Sequence, residues 1–154
     1  MANEAEVVLS PQSKAGELIG PFPEAATQSY KRGHFVYLDA GTVKISADAA
    51  SFKTIGIAQS DASGVTARAA YIHPIKPGDE VAVTCSAAPT AAGLGIGYGI
   101  AAVSTTHHNV DLADTTNKVV SLKRLIYKPD GGISTRAIVQ FFENKLQYHI
   151  GFSE

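Results

Sequence analysis

The sequence of 154 residues contains no tryptophan, one cysteine and one methionine, and only 18% of its residues are charged. The lone Cys85 excludes an intrachain disulfide. Because it ends the apolar alternating run Val-Ala-Val-Thr-Cys, we expect a buried free thiol there, which also fits synthesis inside a cell. The formal net charge of −1 does not supply the positive charge that general binding of nucleic acid requires, so no nucleic-acid partner is expected.

Long apolar runs and helical periodicity are missing as well. The longest stretch without Asp, Glu, Lys or Arg runs from Val81 to Val110, but polar residues, a proline and four glycines interrupt it. A membrane-spanning helix needs about 20 continuously apolar residues, so no membrane partner is expected. The first residues also lack the basic and apolar regions of a secretory signal.

What the sequence does contain, from Tyr30 onward, is short apolar runs with a period of two, separated by turn residues. Phe35 to Leu38 and Val43 to Ile45 flank Asp39-Ala40-Gly41, which predicts a β-hairpin. Further strands are predicted at 52–57, 65–71, 81–85, 93–100, 118–127, 137–142 and 146–152. Strong turn signals occur at 60–64, 76–79, 129–132 and 143–144. This spacing predicts an all-β barrel or sandwich in a single domain of residues 30–154.

Residues 1–29 differ in composition, with three prolines, four acids and few strong apolar periods. The motif Gly20-Pro21-Phe22-Pro23 cannot be helical, because each proline fixes its own φ and favours extended backbone before it. Residues 11–19 allow at most one turn of helix. We predict an extended N-terminal arm that lies on the domain or on a neighbouring subunit, with Leu18, Ile19 and Phe22 as partner-binding anchors. The alternative is a disordered tail.

The run from Gly93 to Ile100 has glycine at every second position. In a strand this spacing places four glycines on one face, where another backbone or a bulky side chain can approach closely. A dinucleotide-binding fingerprint needs a different spacing, between a strand and a helix. The run therefore favours close packing within the fold or at an oligomer axis.

Residue types that bind metals occur at His107, His108, Asp111 and Asp114. Adjacent histidines of an extended chain point in different directions, and a metal site needs about four well-placed ligands. We therefore predict a solvated surface loop over 105–117 and no metal or other cofactor. The other histidines, His34, His73 and His149, are interpreted as structural residues.

No catalytic residue is predicted. No serine lies in a Gly-x-Ser-x-Gly motif, and the neighbouring carboxylates Asp79 and Glu80 should point to opposite faces of a strand. Four basic residues cluster in sequence, but strand alternation should divide them between two faces, as is typical of a solvated edge. They are Lys118, Lys123, Arg124 and Lys128.

The order of these features resembles that of capsid decoration proteins of tailed bacteriophages, also called cement or head-stabilising proteins. The resemblance begins at Tyr30 to Asp39 with Gly41-Thr42-Val43 and continues in Ile55-Gly56-Ile57-Ala58. The Pro-Gly-Asp turn before a Val-rich strand, Pro77 to Val83, and the small-residue segment Ala87 to Tyr98 complete it. It covers about residues 30–100.

This resemblance implies a compact β-barrel or β-tulip-like domain that forms a homotrimer. Such a protein binds the major capsid protein at threefold or quasi-threefold positions on the exterior of the mature head, and it stabilises the head against the packaged genome. It is made in the host cytoplasm, ends up in the virion and is not an enzyme. Removing residues 1–28 should then weaken shell binding and leave the domain folded.

Other functions stay open at the level of sequence. They are another virion β protein, such as a head fibre base or a tail component, a carbohydrate-binding module, and a small hydrolase. The lack of tryptophan lowers the case for a carbohydrate-binding module, which normally exposes aromatic platforms.

Overall fold

The computed structural model describes residues 4–10, 17–47, 49–103 and 107–147, and within these ranges the fold is all-β, as predicted. The strands are β1 Glu6–Leu9, β2 Ile19–Pro23, β3 Phe35–Asp39, β4 Thr42–Ile45, β5 Gly56–Ala58, β6 Ala69–Pro74, β7 Glu80–Thr84, β8 Gly97–Val103, β9 His107–Asp111, β10 Val120–Tyr127 and β11 Ile133–Phe141. Short 3-10 turns occur at Ala49–Ser51, Ala91–Gly93 and Glu143–Lys145. None of the helical segments described is long and apolar enough to cross a membrane.

The larger sheet has six antiparallel strands in the order β1-β7-β11-β10-β8-β9. An isolated parallel bridge between Cys85 and Val110 joins the end of β7 to β9. The N–H of Ser86 also donates to the Val110 carbonyl at 2.9 Å. The last strand of the sheet is thereby brought back toward the second, so the sheet curls around its apolar face.

The smaller sheet has five strands in the order β2-β6-β5-β3-β4. A parallel bridge between Glu24 and Val43 connects the two outer strands. The N–H of Ala25 donates to the same Val43 carbonyl at 3.1 Å. The five strands therefore close at one end into a small barrel.

The predicted hairpin is β3–β4, with Val36 opposite Ile45 and Leu38 opposite Val43. Its two turn residues, Ala40 and Gly41, have φ values of 51° and 84°. Two consecutive left-handed residues give the turn type whose twist matches that of the flanking strands, which explains the prediction's success.

Two apolar cores result, one on either side of β3. The larger core fills the curl of the six-stranded sheet and includes Phe35, Phe52, Ile57, Val83, Ile100, Leu122, Val139 and Phe141. The second core fills the small barrel and includes Tyr30, Val36, Val43, Ile55, Ala58, Ala70 and Ile72. Phe35 and Val36 are both fully buried because successive residues of β3 point into different cores.

The N-terminal segment 1–29 contributes strands to both sheets. β1 pairs with β7 at the edge of the six-stranded sheet, and β2 pairs with β6 in the small barrel. Of residues 11–19, where at most one turn of helix was expected, 11–16 lie outside the described residues, and Ile19 begins β2. The described part of the segment packs on its own chain, since Ala5 and Ala25 are both buried.

Two predictions, one of a strand and one of a loop, are wrong. Residues 65–68 form an exposed turn, in which Ala67 has a φ of 67°, and β6 begins only at Ala69. The predicted surface loop 105–117 contains β9, because its partner β8 lies in the same hairpin and supplies the apolar neighbours. The predicted closing strand 146–152 lies mostly outside the described residues.

The third error concerns the glycine face. Gly93 ends a 3-10 turn, Gly95 has a φ of 81°, and β8 begins only at Gly97. The four glycines therefore do not share a face. Close approach does occur at single positions, because a Cβ on Gly93 would lie 2.8 Å from the Tyr98 hydroxyl.

Candidate partner-binding surface

The three predicted anchors, Leu18, Ile19 and Phe22, lie in β2 or directly before it. Ile19 pairs with Ile72 and Phe22 pairs with Ala70, and both side chains pack against the core of the small barrel. Leu18 directly precedes the strand and is 40% exposed. Of the three, Leu18 is therefore the side chain that the fold leaves most accessible to a partner.

Three other exposed apolar side chains belong to the N-terminal segment or to the strand that pairs with it. The pairing of Ile19 with Ile72 brings the exposed Tyr71 of β6 diagonally across from Leu18, a separation that long side chains bridge. Val8 and Leu9 of β1 are also exposed. We call Val8, Leu9, Leu18 and Tyr71 the N-terminal apolar surface.

The turn between β6 and β7 fixes the chain on both sides of residues 11–16. Before them, the Ser10 hydroxyl donates to the Asp79 carboxylate at 2.6 Å. After them, Glu17 forms an ion pair of 2.8 Å with Lys76. Asp79 in turn accepts the Lys76 backbone N–H at 2.9 Å. Leu9 and Leu18 are thus presented next to one short turn.

Burial shapes the chemistry of this turn. Asp79 is only 1% exposed, and desolvation raises the pKa of its carboxyl. Hydrogen bonds from the Lys76 backbone and the Ser10 hydroxyl oppose that shift. Both carboxylate oxygens are held by donors of the fold, so the group stabilises the turn. Glu80 points away and pairs with Arg124 at 2.5 Å, as the predicted alternation requires.

Glu24 fixes a second junction of the N-terminal segment. It is 2% exposed, and its carboxylate accepts the Ser63 N–H and hydroxyl at 3.0 Å each and the Gly64 N–H at 2.7 Å. The loop between β5 and β6 is thereby bound to the end of β2, where the small barrel closes.

The residues considered as metal ligands separate in the structure. His108 on β9 is buried, whereas Asp114 caps the following loop by accepting the N–H groups of Thr116 and Asn117 at 3.0 Å. Among the described residues no group of three or more His, Cys, Asp or Glu side chains is arranged to hold a metal ion. His149 lies outside the described residues.

His34 and His108 instead meet in the interior, between the two sheets. Their ring centroids lie 5.1 Å apart at an angle of 87°, and each side chain is 1% exposed. Burial lowers the pKa of both rings, that of His108 to about 3. The interpretation of His34 as a structural residue fits this position, whereas His108 was placed wrongly in a solvated loop.

The remaining chemical groups of the described residues do not converge on one site. Burial raises the pKa of the Cys85 thiol to about 11, which leaves it a weak nucleophile at neutral pH. The Lys118 side chain lies against Gly97, while Arg124 pairs with Glu80. A shallow depression of about 290 Å³ near Pro89, Tyr98 and Leu112 has no charged side chain in its lining.

Sequence reasoning missed Tyr71, Val8 and Leu9 as parts of this surface. The available signal was the run Val7-Val8-Leu9, which is too apolar for a solvated tail. Tyr71 gave no such signal, because alternation in a strand does not say which face is covered.

Comparison with protein-family models found no match, and neither the curated proteins nor the solved structures gave a significant match.

Proposed function

We propose that this chain is a capsid decoration protein of a tailed bacteriophage. It binds the major capsid protein on the exterior of the mature icosahedral head, as a homotrimer at threefold or quasi-threefold positions, and stabilises the shell against the packaged genome. The N-terminal apolar surface makes the contact in this proposal.

The observation that supports it is the spatial continuity of three of the five stretches that carry the family resemblance. Tyr30 to Asp39 leads into and forms β3, Gly41 to Val43 leads into β4, and Ile55 to Ala58 contains β5. These three strands are neighbours in the small barrel, in the order β5-β3-β4. These three stretches thus make one unit of the scaffold, whereas the other two, residues 77–83 and 87–98, lead into β7 and β8 of the six-stranded sheet.

The architecture suits a protein that presents a surface. The β6–β7 turn makes one contact with Ser10, next to Leu9, and one with Glu17, next to Leu18, so little order has to be created at these two leucines on binding. In a trimer, each contact after the first forms at high effective concentration, which lets modest contacts hold firmly.

The direct test is addition of the purified protein to expanded, undecorated heads of the cognate phage. Saturable binding at a stoichiometry of three copies per threefold site is expected, as measured by sedimentation and cryo-electron microscopy. Absence of binding to such heads would remove the proposal.

A pair of matched variants tests the surface. Leu18 is 40% exposed and Leu94, in the loop before β8, is 41% exposed. Leu18→Asp should raise the Kd for heads by about tenfold or more, because it replaces apolar burial by desolvation of a charge. Leu94→Asp should leave the Kd unchanged. Equal losses in both variants would show that the shell contact lies elsewhere.

A further inference from the structure

His34 and His108 lie at the place where the small barrel meets the six-stranded sheet. His34 immediately precedes β3, and His108 lies on β9, the outermost strand of the larger sheet. Phe35 packs 5.1 Å from the His108 ring and Phe52 packs 6.2 Å from it. The His108 imidazole therefore lies among Phe35, Phe52 and the His34 ring.

The hydrogen bonds of His34 and His108 hold both rings in the neutral state. Nδ1 of His34 accepts the Lys31 backbone N–H at 2.7 Å, and Nδ1 of His108 accepts the Phe35 backbone N–H at 3.1 Å. A nitrogen that accepts a hydrogen bond carries no proton, so each neutral ring carries its proton on Nε2. Nε2 of His108 then donates to the Ser46 carbonyl at 3.3 Å, and Nε2 of His34 has no hydrogen-bond partner among the residues that the structure describes.

Adding a proton to either ring places it on Nδ1, directly against a backbone N–H. The hydrogen bond is lost, and two donors then face each other. If both rings are charged, two like charges lie about 5 Å apart in a dry environment, where their repulsion is strong.

The charged groups around the pair do little to compensate. Lys31 and His107 disfavour a positive charge on His34, and Asp61 is the acid that favours it. His107 also disfavours a charge on His108, and only the Ser46 carbonyl favours one. Asp61 is itself exposed and is engaged by Arg32 and Lys31, so it offers little to a charged His34.

We propose that the His34–His108 pair is an acid-sensitive latch between the two sheets. At neutral pH the hydrogen bond from Phe35 to His108 connects β3 with β9, and protonation of the pair breaks this connection. Acid therefore loosens β9 and the start of β3 before the rest of the fold.

The direction of the pH effect follows from the protons bound by each state. Both pKa values are lowered in the folded protein, so the unfolded chain binds protons that the folded chain rejects. The contribution of the two rings to stability is then complete above the ordinary histidine pKa of about 6.5. As the pH drops below this value, the unfolding constant rises by up to about tenfold per pH unit for each ring. Desolvation raises the pKa of Asp79, which acts in the opposite direction.

Denaturant unfolding of the full chain between pH 7.5 and 5.5 at fixed ionic strength tests the latch. The wild-type unfolding constant should rise by up to about a hundredfold, which is about tenfold for each ring. In the double variant His34→Asn/His108→Asn, the rise in the unfolding constant that the two histidines cause should disappear. The amide oxygen of asparagine still accepts a hydrogen bond, but the side chain cannot titrate. His73→Asn, on β6 and outside the pair, is the control and should keep the wild-type dependence.

Two measurements on the wild-type protein keep the test independent of the variant's folding. In NMR titrations the His108 ring should not titrate between pH 7.5 and 5.5 while the protein is folded, and the pKa of the His34 ring should lie below its ordinary value. Hydrogen exchange, corrected for intrinsic rates, should increase at pH 5.5 first at residues 34–36 and 107–111. Ordinary titration of both rings, an unchanged pH dependence in the double variant, or a uniform rise in exchange would each overturn the latch.

Discussion

Glu24 is almost fully buried, yet its carboxylate is satisfied by three donors from Ser63 and Gly64. Glu24→Ala would leave the Ser63 and Gly64 N–H groups without an acceptor and should lower the free energy of unfolding by about 2–4 kcal/mol. Glu24→Gln, which keeps one carbonyl oxygen, should lose less. Urea unfolding measures both changes.

The exposed Glu143 provides the control for this prediction. Glu143→Ala should change the free energy of unfolding by no more than about 0.5 kcal/mol. Equal losses for Glu24→Ala and Glu143→Ala would show that the carboxylate at the barrel closure contributes no more than a surface acid.

Cys85 gives a prediction about reactivity. Its thiol is 3% exposed, and burial raises its pKa to about 11, so nearly all of it is protonated at pH 8. Because the thiolate is the nucleophile, alkylation by iodoacetamide at pH 8 should be at least about a hundredfold slower in the folded protein than in denaturant. Mass spectrometry over time measures the two rates, and equal rates would contradict the burial.

For single residues, the sequence predicted the burial of the Cys85 thiol but not the burial of Glu24 or of His108. Cys85 lies in an alternating apolar run, so its own neighbours indicate its surroundings. Glu24 is satisfied by residues 39 and 40 positions away, and His108 accepts from an N–H 73 positions away. A pattern of neighbouring residues in the sequence cannot indicate hydrogen-bond partners that lie so far away along the chain.

Among the elements, the hairpin β3–β4 was predictable and the strands β2 and β9 were not. The hairpin carries both apolar alternation and a matching turn. β2 contains two prolines, which are tolerated because it is an outer strand of its sheet, with a bulge between Ile19 and Phe22. β9 reads His-His-Asn-Val-Asp, and its burial comes from β3 rather than from its own composition.

β5 gives the prediction at this scale, because it is the short strand between β3 and β6. A Cβ on Gly56 would overlap the His73 carbonyl oxygen and lie 2.7 Å from the Ile72 side chain. Since backbone cannot move aside locally, Gly56→Ala should lower the free energy of unfolding by about 3 kcal/mol or more.

Gly131 is the matched control, in the turn between β10 and β11. Its φ is 89° and a Cβ there would meet no atom within 4 Å, so Gly131→Ala tests backbone strain without a clash. A loss of about 1–2 kcal/mol is expected. If thermal and urea unfolding rank the two variants in the reverse order, β5 is not as tightly enclosed as described.

In the whole molecule, β3 joins two cores that each need a closing contact. The larger sheet is drawn together by the bridge from Cys85 to Val110, and the small barrel by the bridge from Glu24 to Val43. The all-β class was predictable from period-two runs and turn signals, whereas these closures were not, because each is one bridge between residues distant in sequence. The small barrel in particular uses residues that composition assigned to an arm.

This closure reverses one expectation derived from sequence. Removing residues 1–28 was expected to leave a folded domain, but it deletes a strand of the small barrel together with the Glu24 contacts. Ile19 and Phe22 pack on the barrel core, and such side chains contribute about 1.5–3 kcal/mol each when fully buried. With the Glu24 contacts, the loss approaches the about 5–15 kcal/mol that stabilises a typical domain.

We therefore predict that the chain lacking residues 1–25 loses cooperative urea unfolding and the dispersed NMR spectrum of a folded protein. The chain lacking residues 1–10 is the comparison: it loses β1 from the edge of the larger sheet, keeps the small barrel closed, and should still unfold cooperatively at a lower urea concentration. Cooperative unfolding of the longer deletion near the wild-type midpoint would show that β2 is dispensable. If the longer deletion does unfold, a loss of shell binding on truncation says nothing about the contact surface, and the exposed Leu18 must be tested by substitution instead.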